Sequence, residues 1–423
     1  MEKQTVVIIG GGFAGMNLAK RIDKKKYTVK LVDRNNYHSF PPLFYQIASS
    51  ALDVPSISFP FRREFKKTRG DVTYHMGHVK NIDLVKKSIE TSYETIAYDK
   101  LVIAAGSTNN YFGMEGLDEN VFGIKTSGEA SHTRDEILDR LERGCLEKDP
   151  ERRRQLLSFL VIGGGPAGVE IAGALGEMKR DVLPREYPEL NPEDMTITLV
   201  EGADRLLSAF DPKLSQKAYV YLSQLLVDIR LNTVMKGYNN KMVAFADGHD
   251  EYWETLIWTA GVKGEPMPGI PAEMIGRGGR IIVDEFNQVK GAESVFAIGD
   301  IALMQTEEYP NGHPQVAQPA IQQARNLAKN LNMGEMAIPF KYNDKGTMAT
   351  IGRNKAIAQI GKMTFAGRFA WWLWMAIHLI SILGVRTKVT VLLNWIWNYC
   401  TYSTSLRLLM RPVKFPLRKH WGD

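Results

Sequence analysis

The stretch TVVIIGGGFAGMNLAKRID, Thr5–Asp23, decides the fold. A short β-branched run ends at Gly10, the glycines Gly10, Gly12 and Gly15 stand in GxGxxG spacing, and a helical stretch follows at once. A second strand, TVKLVD, closes on Asp33, 23 residues after Gly10. The first glycine permits a tight turn, the second lets a pyrophosphate approach the backbone, and the third lets helix and strand pack closely; the acid can accept from ribose hydroxyls. Strand, glycines, helix, strand and acid together predict a dinucleotide site on a Rossmann-like α/β unit.

Two distant segments extend that unit. KLVIAAGST, Lys100–Thr108, and SVFAIGDIAL, Ser294–Leu303, each finish a strand beside a small-residue turn, so they can complete one sheet and the unit is discontinuous in sequence. Asp300 could bind a polyol or coordinate magnesium, or simply cap the next helix as a turn Asp. The device then recurs in LSFLVIGGGPAGVEIAGAL, Leu157–Leu175, with Gly163, Gly165 and Gly168, and the strand TITLVE ends at Glu201. Two fingerprints imply two nucleotides. An acid after the second strand repels a 2′-phosphate, which favours NAD over NADP. The separation from Gly163 to Glu201 is 38 residues, against the usual ~20, so this assignment requires the charged connection Lys179–Asp194 to loop out. Glu170, two residues after Gly168, either complements the helix dipole or projects toward the nicotinamide end of the nucleotide. LIWTAGV, Leu256–Val262, would close the second unit as Leu101–Ser107 closes the first.

With 423 residues, 44% of them hydrophobic, the chain is long enough for two or three cored domains. Its net charge of +6 is uneven: Phe365–Asp423 holds eight Lys/Arg and one acid. Removing that segment from the chain's 53 basic and 47 acidic residues leaves 45 and 46, so the body is neutral and no nucleic-acid-binding face is expected. Cys145 and Cys400 are the only cysteines, which removes a disulfide scaffold, a thiolate metal site and a dithiol relay; no metal is expected. MEKQTVVIIGGG enters a strand without a signal-peptide pattern and reads as cytoplasmic.

The stretch VAQPAIQQARNLAKNLN, Val316–Asn332, predicts a helix with Pro319 in its first turn and Gln318 and Gln322 on one face. A helix start carries partial positive charge and unpaired N–H groups, and so can steady an anionic ring such as a reduced flavin. Further on, FAWWLWMAIHLISILGV, Phe369–Val385, is apolar apart from His378 and Ser381, and its 17 residues reach the lower edge of the ~17 to 25 that a spanning helix needs. Six of the eight tryptophans lie between Trp371 and Trp421, and Val389–Tyr402 adds a second aromatic stretch. His378 would be expensive at mid-bilayer, and the tryptophans suit helices lying in the headgroup layer of an anionic membrane. Arg407, Arg411, Lys414, Arg418 and Lys419 would then meet lipid phosphates. A dimerisation surface would also be apolar and aromatic.

Taken together, the chain resembles the two-dinucleotide-domain, glutathione-reductase-like flavoproteins, and within them the type II NADH dehydrogenases, the non-proton-pumping NADH:quinone oxidoreductases. The likeness rests on NYHSFPPLFYQIASSALDVPSI at 36–57, the second fingerprint with Glu170, AIGD at 297–300, AQPAIQQA at 317–324, MATIGRNKAIA at 348–358 and the aromatic C-terminal region. It implies that Gly10, Gly12, Gly15, Asp33 and Asp300 hold FAD non-covalently, that Gly163, Gly165, Gly168, Glu170 and Glu201 hold NADH as substrate, and that Gln318 and Gln322 lie at the quinone end of the flavin. It implies an α/β fold of two Rossmann-like domains plus a membrane-associating helical region: FAD-binding at 1–115 and 273–345, NADH-binding at 116–272, membrane-anchoring at 346–423. A peripheral homodimer on the cytoplasmic face of the cell membrane, bound to anionic lipid, is the expected setting. The rival readings are a soluble NAD(P)H reductase for a small iron protein and a non-enzymatic NADH-sensing flavoprotein.

Overall fold

The computed structural model describes residues 2–68, 70–401, 404 and 406–409. A five-stranded parallel sheet runs in the order Val295–Ala297, Lys100–Ile103, Gln4–Ile9, Tyr27–Asp33, Val72–Met76. Val6 to Ile9 are all buried, as a central parallel strand covered on both faces requires. The helix Phe13–Arg21 follows the first glycine turn, and the long helix Ala317–Met333 packs beside it.

A second five-stranded parallel sheet repeats the plan, in the order Phe122–Gly123, Thr255–Trp258, Ser158–Ile162, Thr196–Val200, Asp228–Arg230. Each sheet is accompanied by a three-stranded antiparallel meander, Val79–Asp83 with Ser88–Thr91 and Thr95–Ala97 in one case, Met235–Asn239 with Met242–Phe245 and Asp250–Tyr252 in the other. An antiparallel pair, Ser107–Asn109 with Val262–Gly264, joins the two units.

A third meander, Thr347–Thr350, Ala356–Ile360 and Met363–Gly367, leads into the helices Arg368–Ser381 and Val385–Thr401. The apolar run of the sequence is therefore not one helix. It breaks at Gly384, whose φ of +83° suits glycine and whose added Cβ would lie 2.5 Å from the Phe59 ring. At 1.5 Å per residue the 14-residue first helix is about 21 Å long, short of the ~30 Å hydrocarbon layer. Among the described residues no helix is long and apolar enough to cross a membrane. His378 faces the protein: its ring stacks on Trp374 at 4.1 Å, its Nδ1 lies 2.8 Å from the Trp374 carbonyl oxygen, and burial lowers its pKa to about 4, which keeps it neutral.

The helix pair is amphipathic. Ala370 and Trp374, then Thr387, Val391 and Trp395, face inward, while Phe369, Trp372, Ile380, Val389, Leu393, Ile396 and Trp397 are exposed. Trp395 Nε1 donates to buried Gln46 Oε1 at 2.8 Å, and Arg353 donates to the Asn398 and Tyr399 carbonyls at the helix C-terminus. Arg407 departs from the expectation that it meets lipid: its Nε donates to Glu186 Oε2 at 2.6 Å and its side chain is 7% exposed. A carboxylate within reach outcompetes water for a guanidinium fork. Tyr402, Arg411, Lys414, Arg418, Lys419 and Trp421 lie outside the described residues.

Candidate active site

The two glycine turns are superposable in their chemistry. Gly10 and Gly163 have φ of +97° and +110°, and a Cβ on either would collide with the backbone of the neighbouring strand end, at Ala104 or Ala260. Gly15 and Gly168 sit against the carbonyl oxygens of Gly10 and Gly163, where a Cβ would approach to 1.9 and 1.8 Å. Gly12 and Gly165 instead face open space, with nothing within 4 Å of an added Cβ. They are also the N-caps of the following helices, Phe13–Arg21 and Pro166–Glu177. Each turn thus offers bare backbone and a helix start to an anionic group, the cradle that a pyrophosphate needs.

The acids match as well. Asp33 Oδ2 accepts from Gly11 N at 2.7 Å and its Oδ1 from Asn35 N at 2.7 Å; Glu201 Oε2 accepts from Gly164 N at 2.5 Å and its Oε1 from Ala203 N at 2.8 Å. Burial raises the Asp33 carboxyl, opposed by the two backbone donors. The long spacing to Glu201 is absorbed by a π-helical turn, Met178–Val182, the short helix Leu183–Glu186 and the turn Pro192–Asp194, which leave the carboxylate at the same place as its counterpart.

Asp300 lies in the turn Gly299–Ile301 that follows the edge strand of the first sheet. Its Oδ2 accepts from Ser107 Oγ at 2.6 Å, and Lys125 Nζ, which donates to that hydroxyl at 2.7 Å, stands 3.8 Å from the carboxylate. The turn is held by Gln323, whose buried Oε1 accepts from Gly299 N at 2.7 Å. An added Cβ at Gly299 would lie 3.2 and 3.3 Å from the Cβ atoms of Ala14 and Ala320, so the small residues of AQPAIQQA let two helices close on this turn. Sequence reading missed Gln323, Ser107 and Lys125. Gln323 was signalled by its place on the stripe Pro319, Ala320, Gln323, Ala324, Leu327, which is buried throughout.

Gln318 and Gln322 act as a pair, on the backbone of residues 343–346. Gln318 donates to Gly346 O at 2.8 Å and accepts from Lys345 N at 3.1 Å; Gln322 donates to Asn343 O at 2.9 Å and accepts from Asn343 N at 3.0 Å. Each amide keeps one N–H and one lone pair beyond these bonds. The strand Thr347–Thr350 continues from the clamped segment to Glu170, whose Oε1 lies 3.4 Å from Thr350 N. Glu170 is 8% exposed, and burial raises its pKa to about 8. It lines a cavity of about 140 Å³ with Tyr45, Gln46, Ala174, Glu177, Asp181, Arg353 and the rings of Trp371, Trp374 and Trp395; neither Gln318 nor Gln322 is among the lining residues.

Two nucleotide cradles on tandem parallel α/β sheets define a pyridine-nucleotide-dependent flavoprotein oxidoreductase. Residues 4–324 match the pyridine nucleotide-disulphide oxidoreductase family, and residues 345–401 match the NDH2 C-terminal domain. The type II NADH:quinone oxidoreductase Ndh of Mycobacterium tuberculosis is 35% identical over 414 residues, which cover 93% of this chain and 88% of the relative; NdhA of the same organism is 33% identical over 93% and 86%. The chain belongs to the type II NADH:quinone oxidoreductase family. NDH2 from Plasmodium falciparum, solved in complex with NADH, has the same fold: TM-score 0.89 at 20% identity, over 97% of this chain and 100% of that one. The sulfide:quinone oxidoreductase of Aquifex aeolicus shares the fold at a TM-score of 0.71 and 18% identity, over 89% and 90%.

Proposed function

We propose that this protein is an FAD-dependent enzyme that oxidises NADH and reduces a membrane quinone without pumping protons. The single observation that carries the reading is a chain of rings. Phe13, next to the open Gly12 of the first cradle, meets Phe40 edge-on at 5.6 Å, and Phe40 meets His378 of the C-terminal helix pair at 6.0 Å. The nucleotide turn and the outward apolar helices are three rings apart, which suits a lipid-soluble acceptor and serves no purpose for a water-soluble one.

Residues 1–115 and 273–345 form the flavin-binding part on this reading, 116–272 the NADH-binding part and 346–423 the membrane-anchoring part. Gly10, Gly12, Gly15, Asp33 and Asp300 hold FAD; Gly163, Gly165, Gly168 and Glu201 hold NADH. The residues fit FAD, because the space beyond Gly12 takes a pyrophosphate that no side chain would admit. Bound FAD supplies two-electron chemistry between a hydride donor and a quinone. Gln318 and Gln322 fix the 343–346 segment and offer their remaining N–H groups to a quinone carbonyl. Glu170 holds a proton up to about pH 8 and yields it toward the acceptor, a task the amides cannot perform. The apolar helix faces lie in the headgroup layer of an anionic membrane, on its cytoplasmic side and without spanning it. A homodimer is the expected assembly, since twofold closure is the commonest.

The test is an absorbance spectrum of the purified protein, followed by anaerobic NADH and then a quinone analogue. The reading requires a flavin spectrum that NADH bleaches and quinone restores. A flavin-free protein that oxidised NADH, or a bleached flavin that no quinone restored, would overturn it. Gln318→Ala and Gln322→Ala should slow the quinone step and leave bleaching by NADH intact.

A further inference from the structure

The overall reaction, NADH + H⁺ + quinone → NAD⁺ + quinol, takes one proton from water per turnover. Glu170 cannot meet that demand more than once unless it is reprotonated, and it is 8% exposed. The cavity it lines supplies a route. Glu170, Ala174, Glu177 and Asp181 fall at steps of four, three and four residues, so they follow one face of the helix Pro166–Glu177 and its π-helical extension, and all four line the cavity. Glu170 and Glu177 are two turns apart, about 10 Å along the axis at 1.5 Å per residue, too far for direct transfer. A volume of about 140 Å³ holds about five waters at ~30 Å³ each, enough to bridge the gap. Besides the tryptophans, its lining includes polar residues: Tyr45 and Gln46 from the helix Phe44–Ala48, Thr350 and Arg353 from the third meander, and Asn398 and Tyr399 from the last helix. At the outer end Asp181, with 19% of its side chain exposed, is paired with Arg180.

We propose that this cavity is the proton intake of the enzyme, with Asp181 at its mouth, Glu177 as an intermediate carboxyl and Glu170 as the terminal donor. The inference rests on the quinone-reductase reading. Glu170 gives its proton toward the acceptor and becomes a carboxylate. A proton then moves from Glu177 through the cavity water to Glu170, and Glu177 is refilled from bulk water past Asp181. The charged and titratable groups facing Glu177 are the Arg353 guanidinium, Arg180, Asp181, Lys355 and the Tyr45 hydroxyl, with the Arg353 backbone N–H donating to its Oε1. From the tail, Arg407 also lines the cavity and is bonded to Glu186. Burial raises the Glu177 carboxyl, and the Arg353 backbone N–H and guanidinium act against that. Glu177 touches neither nucleotide cradle and is a relay, not a catalytic residue.

Glu177→Gln keeps the acceptor for the Arg353 N–H and removes the titratable proton. With saturating NADH and a quinone analogue, its turnover should fall about tenfold at pH 9 and much less at pH 6, where hydronium replaces the relay; this is milder than the hundredfold or more lost with a general acid itself. Flavin bleaching by NADH should be unchanged, and Glu177→Asp should recover most of the rate. Ala174→Leu, which narrows the cavity without removing a carboxyl, should give the same pH-dependent loss. A readout independent of turnover is the infrared carboxyl band of Glu170, assigned by its loss in Glu170→Gln: after mixing with D₂O its exchange should be about tenfold slower in Glu177→Gln and Ala174→Leu than in the unmodified protein. Unchanged exchange and an unchanged pH profile in both variants, or equal losses in bleaching and turnover at every pH, would overturn the proposal. If the unmodified protein reduced no quinone, the functional reading would fail, while the exchange rates would still decide whether the cavity conducts protons.

Discussion

At neutral pH the Glu170 carboxyl is protonated, because burial raises its pKa from 4.5 to about 8. Folding therefore binds a proton between those two values. A group raised in this way contributes stability that is complete below pH 4.5 and is lost as pH climbs to 8, after which the loss is constant. Glu170→Gln removes the penalty. In denaturant titrations the variant should match the unmodified protein near pH 4.5 and exceed it at pH 8.5 by up to about 5 kcal/mol, at roughly 1.4 kcal/mol per pH unit. A variant no more stable at high pH would mean that water reaches the carboxylate freely. Gln323 permits a second test. Its Oε1 is the partner of the Gly299 N–H in a buried turn, so Gln323→Ala leaves that donor unpaired at a cost of about 1–3 kcal/mol. Because Asp300 sits in the same turn, the variant should also release FAD more readily, which ultrafiltration followed by a flavin spectrum would show. Sequence pattern picked out Gln318 and Gln322, the visible pair, yet the buried member of the same helix is the one that holds the turn; a glutamine's hydrogen-bond partner lies far away in sequence and leaves no trace in local spacing.

At the scale of elements, the helix pair Arg368–Ser381 and Val385–Thr401 shows where composition stops being informative. A run of 17 residues, apolar apart from one histidine and one serine, fits both a short span and a surface helix. The choice was made by Gly384, which turns the chain against Phe59, and by His378, which finds Trp374. Phe59 lies far outside the run, and nothing in the run's composition says that His378 stacks on Trp374. The two faces of the pair predict opposite phenotypes. Trp374 is 2% exposed, and Trp374→Ala should destabilise the protein by about 3–5 kcal/mol, the usual result of emptying an aromatic core position. Trp372 is 57% exposed and Trp397 64%, so Trp372→Glu with Trp397→Glu should shift the melting midpoint by less than about 2 °C, in keeping with surface substitutions. Flotation with vesicles containing anionic lipid would separate the readings: the double variant should stay with the soluble fraction. If it floated as well as the unmodified protein, the outward face would have another purpose, a second copy of the chain foremost among them.

Across the whole molecule, one structural device has been used twice, and its chemistry was legible in sequence because it resides in the backbone. Gly10 and Gly163 are set by a positive φ, and Gly15 and Gly168 by the carbonyl oxygens of those same glycines five residues back, so most of the pattern survives as local spacing although Ala104 and Ala260 also crowd Gly10 and Gly163. The acid partner of the second copy was harder to place, since the 38 residues from Gly163 to Glu201 conceal a conserved geometry behind a longer helix and loop. The duplication also separates folding from ligand binding. Gly12 and Gly165 alone among the six have nothing within 4 Å of an added Cβ, so Gly12→Val and Gly165→Val should cost the ligand-free protein only the loss of helix-start preference, about 1 kcal/mol or less. On the proposed assignment, each Val would nevertheless fill the open space that a pyrophosphate takes beside the turn. The expected outcomes are crossed. Gly12→Val should purify colourless and take up no FAD on reconstitution; Gly165→Val should purify with FAD, fail to bleach with NADH at concentrations that saturate the unmodified protein, and still bleach with dithionite. Isothermal titration of both variants with each nucleotide would score the cross directly. Loss of FAD from Gly165→Val would show instead that the two cradles do not act separately, and the division of labour between the two sheets would have to be redrawn.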